Sequence, residues 1–232
     1  MKTEILITKL PMTHLRKTSL TAGVLYLLTF ISIPTLSLYA PVKSANYILT
    51  AGPDTTTIIG CLLEIFMALA CIGTAVVLYP ILKKQHNGMA LGLVASRILE
   101  AGTIFLGVAF LLTIISLKQS GIGKDALVSS QILVMLYNRI FLLGQSFLPA
   151  VNDLLLGILL YKSGLVPRVL ALIGVWGAVP LVAGYLAVLF GIIAQNSPWA
   201  GLAALLVALF EFSLGIYLVV KGFKNSLLLN NL

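Results

Sequence analysis

Residues 58–82 read IIGCLLEIFMALACIGTAVVLYPIL. The single charged side chain in this stretch is Glu64. At about 1.5 Å per residue, a helix of this length exceeds the roughly 30 Å hydrocarbon layer of a bilayer. The stretch therefore predicts a transmembrane helix.

The rest of the chain shares this apolar character. Of its 232 residues, 59% are hydrophobic and 9% are charged, whereas a soluble domain carries roughly 25% charged residues. The mean hydropathy is +1.08. Because such a surface would be sticky in water, lipid must be the solvent for much of the chain. The composition predicts an all-α integral membrane protein without a separate soluble domain.

Apolar runs bounded by polar turns predict a bundle of about six transmembrane helices. The predicted spans are 20–38, 58–82, 89–117, 140–161, 168–194 and 199–220. Residues 1–19 form a basic cytoplasmic leader, 20–221 the transmembrane domain and 222–232 a cytoplasmic tail. The first run is too long for the core of a cleaved signal peptide, so we interpret it as a retained anchor. Residues 126–139 are more polar than the rest of their helix and are expected at or above the outer surface.

Lys and Arg side chains are distributed unevenly between the loops of the two sides. With the N-terminus inside, the cytoplasmic segments hold ten of them and the outer segments hold three, Lys43, Lys118 and Lys124. Because positively charged loops stay in the cytoplasm, both ends are predicted to lie inside. This bias, together with attraction to anionic membrane lipids, accounts for the net charge of +8. Nucleic acid is not an expected partner.

Polar and ionisable side chains inside the predicted spans are the strongest functional signal. A charge at the centre of a transmembrane helix costs about 2.5–3.5 kcal/mol on insertion scales and usually faces the bundle interior. The candidates for a buried polar, ligand or ion site are Glu64, Arg97, Glu100, Arg139, Asn152, Asp153 and Glu211. From their depths, we expect an outer ion pair between Glu64 and Arg139. The other charged members are expected to form an inner cluster.

The charge balance of these candidates leaves two interpretations open. Two Arg side chains face four carboxylates, so the spans carry excess negative charge when all are ionised. Such a site suits a proton relay or a cation. The same residues would also serve as buried pairs that hold helices together. A cavity beside the inner cluster would favour a ligand site, and a dry cluster of paired charges would favour the structural role.

Pro149 predicts a kink beside two of the candidates. It cannot donate a hydrogen bond to the carbonyl of Gln145, and Asn152 and Asp153 follow within a turn. This pattern is typical of the broken-helix ion sites of transporters. It is equally typical of an ordinary proline kink whose freed backbone groups are satisfied by nearby polar side chains.

Several chemistries are not indicated by the sequence. Cys61 and Cys71 would lie about 15 Å apart along one helix, too far for a disulfide. His14 and His86 fall in loops, so the spans offer no histidine for haem ligation. The motifs H-E-x-x-H, G-x-S-x-G and G-x-x-x-x-G-K are absent from the sequence. No cofactor or metal is expected and an enzyme is disfavoured, although an intramembrane enzyme that uses carboxylates stays an alternative.

A set of segments spread over nearly the whole chain resembles a known family. The segments are Arg16 with Ala22-Gly23-Val24-Leu25-Tyr26, Leu63-Glu64, Gly73-Thr74-Ala75-Val76-Val77-Leu78-Tyr79-Pro80, Arg97-Ile98-Leu99-Glu100, Val166-Pro167-Arg168 with Gly174, and Glu211 followed by Lys221-Gly222-Phe223. Together they are similar to a bacterial family of multi-span proteins catalogued as domain of unknown function 4386. The resemblance implies a multi-pass protein of the bacterial plasma membrane. It implies no activity and no role for any residue.

The first expectation is a membrane protein of unknown function, and the buried charges motivate the hypothesis that it transports or senses a small solute, ion, proton or lipid through a polar site in the bundle. The alternative is a structural, accessory or stress-related membrane protein whose charges hold its helices together. Membrane lipids are expected partners in both cases. The sequence does not indicate an oligomeric state or a partner subunit.

Overall fold

The computed structural model describes residues 14–224, and this part of the chain is helical with no β-strand. Its helices are α1 (His14–Thr29), α2 (Ser32–Tyr39), α3 (Thr55–Gln119), α4 (Leu127–Leu143), α5 (Leu148–Ser163), α6 (Arg168–Leu189) and α7 (Pro198–Val220). Short 3-10 turns lie at Ala40–Lys43, Tyr47–Leu49 and Gly123–Ala126. The all-α prediction is confirmed. The first part of the predicted leader and most of the predicted tail lie outside the described residues.

Five stretches of the described chain are long and apolar enough to cross a bilayer. They are His14–Lys43, Thr55–Gln119, Gly123–Ser163, Arg168–Leu189 and Pro198–Val220. Large apolar side chains are exposed on the outside of the bundle, as a lipid-facing surface requires. The protein is therefore membrane-embedded. The count of six spans, their boundaries and the cytoplasmic position of both ends stay predictions.

Helix α3 is a hairpin of two helical arms, residues 55–85 and 87–119. Between them His86 is extended, with φ −164° and ψ 104°. A straight helix of 65 residues would be about 97 Å long. Lys118 Nζ nevertheless lies 2.6 Å from Asp54 Oδ1, next to the opposite end of the helix. The chain therefore turns back within the polar turn predicted after the second span.

One end of the bundle, here called the terminal end, joins the first helix to the last. The guanidinium of Arg16 donates hydrogen bonds to the carbonyl oxygens of Leu218, at 3.0 Å, and Val219. The backbone N–H of Lys224 donates to the carbonyl of Leu165 at 2.8 Å. The two ends of the described chain therefore lie on the same side of the bundle, as they do in any bundle with an even number of crossings.

The opposite end, here called the loop end, is closed by a polar cluster around Asp54. Its carboxylate accepts hydrogen bonds from Lys118 Nζ at 2.6 Å, the Tyr47 hydroxyl at 2.6 Å and the Gln119 amide at 3.2 Å. Burial by itself would raise the pKa of Asp54, but the three donors outweigh it and hold the pKa below its ordinary value. Burial and the bond to Asp54 raise the pKa of Tyr47 to about 12. The cluster ties the start of the hairpin to its end.

Two of the predicted helices are interrupted just before a proline. Pro34 has no N–H for the carbonyl of Phe30, and the chain turns between α1 and α2. Pro149 has none for the carbonyl of Gln145, and the chain unwinds over residues 144–147 between α4 and α5. The kink predicted at Pro149 is thus a break over the turn that precedes it.

Gly23 lets α1 cross α7 at close range. A Cβ atom built at Gly23 would lie 2.7 Å from the carbonyl oxygen of Gly215, and one at Gly215 would lie 3.0 Å from the Leu27 side chain. Small residues at such crossings permit tight packing of transmembrane helices. The crossing fixes the position of Glu211, which lies one turn before Gly215 on α7.

Candidate functional site

Arg97 is the centre of a buried network that joins four helices. It lies in the second arm of α3 and is 1% exposed. Its Nη1 donates to Glu100 Oε2 at 3.0 Å, and its Nη2 donates to Glu211 Oε1 on α7. Asn152 Nδ2 on α5 donates to the same Glu100 oxygen at 2.8 Å. The Tyr26 ring of α1 faces the guanidinium, with 5.6 Å between its centroid and Arg97 Cζ.

Asp153 is buried beside this network without a hydrogen bond. It is fully buried, and neither of its carboxylate oxygens has a hydrogen-bond partner among residues 14–224. The charges of Arg97, Glu100 and Glu211 all act on it. The structure therefore brings the four members of the predicted inner cluster together. Asp153 is a neighbour of the ion pairs and forms none itself.

Glu64 forms a second polar centre with neutral partners. Its Oε1 accepts hydrogen bonds from the hydroxyls of Thr35 at 2.6 Å and Tyr39 at 3.3 Å, and its Oε2 accepts one from the Gln145 amide at 2.9 Å. The Tyr137 hydroxyl donates in turn to Tyr39 at 3.0 Å. These direct partners are two hydroxyls and one amide, and none of them carries a charge. Within the described chain, no Lys or Arg nitrogen lies within 4.0 Å of Glu64.

The predicted ion pair between Glu64 and Arg139 is wrong. Arg139 is exposed, and the side chain that binds Glu64 from this part of the chain is Gln145. Arg139 lies two positions from the buried Tyr137, which puts it on the opposite face of α4. The break at residues 144–147 then directs Gln145 into the bundle. Arg139 is therefore not part of the buried site.

A cavity of about 450 Å³ lies between the helices, with both polar centres in its wall. Its charged and amide lining includes Glu64, Arg97, Glu100, Gln145 and Glu211. Its volume lies within the range of about 300–1,000 Å³ that is typical of small-molecule sites. Asn152 and Asp153 do not line it and lie behind the Arg97 network. The Glu64 centre and the Arg97 network are thus two polar regions of one cavity wall.

The cavity reaches the surface, because some of its lining residues are exposed. At the loop end its lining includes the exposed Asn196, in the connection between α6 and α7. Between helices it includes Ile33 of α2, whose side chain is 64% exposed. The lining runs along α7 from Ala200 to Glu211, a rise of about 16 Å. The cavity therefore leads from the surface to the buried Arg97 network.

Both proline breaks border this cavity. Phe30, from the first break, and Gln145 and Ser146, from the second, belong to its lining. Thr35, about one turn after the first break, donates to Glu64. Non-helical backbone within a membrane is tolerated where it is buried in protein or lines a cavity. Broken helices of this kind are frequent at the binding sites of transporters.

The rest of the wall is mainly hydrocarbon. It includes the side chains of Phe30, Ile33, Leu36, Met67, Phe141, Leu142, Leu181, Tyr185, Val188 and Val207. Cys71 also lines the cavity, with its Sγ 3.8 Å from Arg97 Nη1. Both cysteines are free. Among residues 14–224, no group of three or more His, Cys, Asp or Glu side chains is arranged to hold a metal ion.

Sequence reasoning missed the neutral partners of the two centres. Thr35, Tyr39 and Tyr26 carry hydroxyls inside apolar runs, and this was the available signal. Gln145 lies four residues before Pro149, and a proline leaves the backbone carbonyl at that position without its helical hydrogen bond. The position of Gln145 in the sequence therefore indicated where the helix would break. The sequence did not indicate that the side chain of Gln145 would donate a hydrogen bond to Glu64.

The fold and the site define a membrane-embedded helical bundle with a charged internal cavity. The chain belongs to the family described as domain of unknown function (DUF4386), whose model matches residues 21–222. No curated protein and no solved structure matches the chain. The family resemblance noted from the sequence is thereby confirmed. The matched range includes the whole lining of the cavity.

Proposed function

We propose that this protein binds a small solute in the cavity, and transports or senses it in the plasma membrane of a bacterium. The observation that carries the proposal is the cavity of about 450 Å³ with Glu64, Arg97 and Glu211 in its wall. Protein interiors are packed as densely as organic crystals, and voids larger than a water molecule are few. Charges that served only to hold helices together would need no such space beside them.

We also propose that the chain crosses the membrane six times, with the two arms of α3 as two of the six spans. The terminal end then faces the cytoplasm. The described Lys and Arg residues that flank this end are Arg16, Lys17, Lys83, Lys84, Lys162, Arg168, Lys221 and Lys224. Those that flank the loop end are Lys43, Lys118 and Lys124. The positive-inside rule supports this orientation, in which the cavity opens away from the cytoplasm. Lys2 and Lys9, which add to the predicted bias, lie outside the described residues.

The two alternatives have less support. Arg97 does hold α3 to α7, but a purely structural role leaves the adjoining cavity without a purpose. An intramembrane enzyme would need a carboxylate available as a general acid or base. Glu100 and Glu211 instead bind the same guanidinium, and both oxygens of Glu64 accept hydrogen bonds from protein side chains. Binding of a solute accounts for both the cavity and the charged side chains in its wall.

Thiol labelling tests whether the cavity is open to water. In a Cys61→Ala, Cys71→Ala background, single cysteines replace Ala208, which lines the cavity, or the adjacent Leu209, which is 46% exposed and outside the lining. A charged methanethiosulfonate, which does not cross membranes, is added to either side of sealed vesicles. We expect Ala208→Cys to react at least about tenfold faster than Leu209→Cys from the loop-end side, because lipid excludes the charged reagent. Equally slow reaction at both positions from both sides would contradict the proposal.

Proteoliposomes distinguish transport from sensing once a solute is known to bind. A transporter moves the bound solute across the membrane, and we expect Glu211→Gln, which removes a charge that lines the cavity, to abolish that flux. A sensor binds the same solute without flux. Labelling of Ala208→Cys without any binding of small molecules would leave only the structural role.

A further inference from the structure

The cavity wall carries more negative than positive groups. Its ionisable members are Glu64, Glu100 and Glu211 against Arg97. Nη1 and Nη2 of Arg97 each bind one of the carboxylates, so the guanidinium is largely neutralised. Glu64 is 3% exposed and lies apart from these pairs. Three carboxylates therefore face one guanidinium, and Glu64 is the carboxylate that Arg97 does not contact.

Lys43 is the nearest cation to this carboxylate but does not balance it within the cavity. Its Nζ lies over the rings of Tyr39 and Tyr137, at 5.5 Å and 5.0 Å from their centroids. It acts on Glu64 from a distance and does not line the cavity. The direct hydrogen-bond partners of Glu64 are Thr35, Tyr39 and Gln145, and none of these side chains carries a charge. A positively charged ligand would supply the missing partner at short range.

An anionic ligand does not fit this arrangement. Arg97 is the guanidinium in the described wall, and an anion that approaches it meets Glu100 and Glu211 on its two terminal nitrogens. Like charges in a site of low dielectric repel strongly. The excess charge thus selects against anions as well as for cations.

The hydrocarbon part of the wall determines the rest of the ligand. Leu36, Leu181 and Val207 offer no polar contact, and Phe30 and Phe141 present aromatic rings. A bare inorganic cation would leave this surface unused and would exchange its hydration shell for one carboxylate. A cation with a hydrocarbon or aromatic body buries apolar area and gains cation–π contacts. Ile33, which lines the cavity and is exposed on the outside of the bundle, also places this apolar wall next to the bilayer, the source of an amphiphile.

We infer that the ligand of the cavity is an amphiphilic organic cation whose charged group lies beside Glu64. This inference rests on the proposed function of the cavity and adds the chemical class of its ligand. Glu64 supplies the counter-charge, the proline breaks hold Thr35 and Gln145 against that carboxylate, and the apolar wall accommodates the body of the cation.

Equilibrium binding of two ions of nearly equal size and opposite charge tests the inference. Tetraphenylphosphonium and tetraphenylborate are titrated against the full chain in lipid nanodiscs, and binding to empty nanodiscs is subtracted. We expect saturable binding of the phosphonium and none of the borate. Glu64→Gln should weaken phosphonium binding at least about tenfold. The matched variant Asp125→Asn, which removes a charge from an exposed position outside the cavity, should leave it within about twofold.

Gly201→Phe locates the bound cation independently of Glu64. Gly201 lines the cavity, and a Cβ atom there would meet nothing within 4 Å, so a ring can be added at the cavity wall without displacing backbone. Gly102→Phe is the matched control, because its Cβ atom also meets nothing within 4 Å and it lies outside the lining. We expect the first variant, and not the second, to abolish phosphonium binding.

Three results would overturn the inference and leave the proposed function in place. The first is borate binding as tight as that of the phosphonium. The second is phosphonium binding that is unchanged in Glu64→Gln and Gly201→Phe. The third is binding of neither ion by a protein whose Ala208→Cys variant reacts rapidly from the loop-end side. Slow reaction of Ala208→Cys, in contrast, would count against the open cavity itself.

Discussion

Gln145 and Glu64 are 81 positions apart in the sequence, and the amide of Gln145 donates a hydrogen bond to Glu64 Oε2 at 2.9 Å. The amide belongs to the unwound turn between α4 and α5, and the carboxylate belongs to the first arm of α3. The bond therefore fixes the break against the hairpin. It also makes the shape of the cavity depend on one side-chain contact.

Replacement of Gln145 by Met tests this contact, because Met has a similar volume and no donor. A hydrogen bond to a charged group contributes about 1.5–3 kcal/mol, so we expect a loss of that size in the free energy of unfolding in detergent. Gln131→Met is the control, since Gln131 is exposed on α4. Equal stabilities of the two variants would show that the bond does not hold the break.

Arg97 and Glu211 should be strongly coupled. Removal of one partner from a buried ion pair leaves the other charge uncompensated and lowers stability by about 3–5 kcal/mol. We expect Arg97→Met and Glu211→Met each to destabilise the protein, and the double variant to lose at least about 1 kcal/mol less than the sum of the two. Unfolding free energies of the four proteins give this coupling directly.

Arg139→Met provides the comparison for that cycle. Its side chain is exposed, and surface substitutions away from special features usually change stability by about 0.5 kcal/mol or less. A large loss at Arg139, or additivity of the Arg97 and Glu211 variants, would contradict the assignment of the buried network.

Asp153→Asn should lower the stability of the protein far less than Arg97→Met or Glu211→Met does. The carboxylate is fully buried and accepts no hydrogen bond within the described part of the chain, so its negative charge brings no compensating contact. We expect the isosteric, neutral Asn to change the free energy of unfolding by less than about 1 kcal/mol, or to raise it.

The adjacent Asn152 gives the contrast for this prediction. It is equally buried, but its amide donates to Glu100 at 2.8 Å. Asn152→Leu should therefore lower stability by about 1–3 kcal/mol, as measured by the same unfolding assay. A larger loss in Asp153→Asn than in Asn152→Leu would mean that Asp153 binds a group that stabilises its charge.

The Asp54 cluster should make stability depend on pH in acid. Because the three donors hold the pKa of Asp54 below its ordinary value, the folded state binds its proton more weakly than the unfolded state does. Its contribution is complete above the unfolded pKa of about 3.9 and is lost as the pH falls through the lower folded pKa. The melting temperature of the wild type should therefore exceed that of Asp54→Asn above about pH 4, and the difference should narrow below it.

Asp125→Asn controls for general effects of acid, because Asp125 is exposed and forms no ion pair within residues 14–224. A difference between wild type and Asp54→Asn that persists unchanged at the lowest pH would show that hydrogen bonding to Lys118 and Tyr47, and not the charge of Asp54, stabilises the loop end.

The fold class followed from the sequence because hydrophobic length is a local property. The run around Glu64 predicts a helix by itself, and the turn around His86 predicts where α3 reverses. The gathering of Arg97, Glu100, Asp153 and Glu211 also followed, because depth in a bilayer can be counted along each helix. In a helical membrane protein, the position of a residue in its span thus sets its depth in the bilayer, and residues of neighbouring helices at the same depth can come into contact.

The partners of Glu64 did not follow, because rotation about a helix axis is not set by height. Arg139 was expected at the height of Glu64, yet it lies on the outward face of α4. Gln145 reaches Glu64 because the chain unwinds before Pro149, and no periodic pattern describes the direction of an unwound turn. The cavity itself arises from the spacing of several helices, and that spacing depends on contacts such as the one at Gly23.

The contact of Arg16 with the end of α7 has a consequence for biosynthesis. Arg16 lies in the first turn of α1, which emerges from the ribosome before the other described helices, while its acceptors Leu218 and Val219 lie at the end of α7, which emerges after them. Arg97 likewise obtains Glu211 only when α7 is inserted. Until then Arg97 in the growing chain is paired with Glu100 alone. Insertion of α7 thus completes the pairing of two arginines that lie in helices made earlier, Arg16 in α1 and Arg97 in α3.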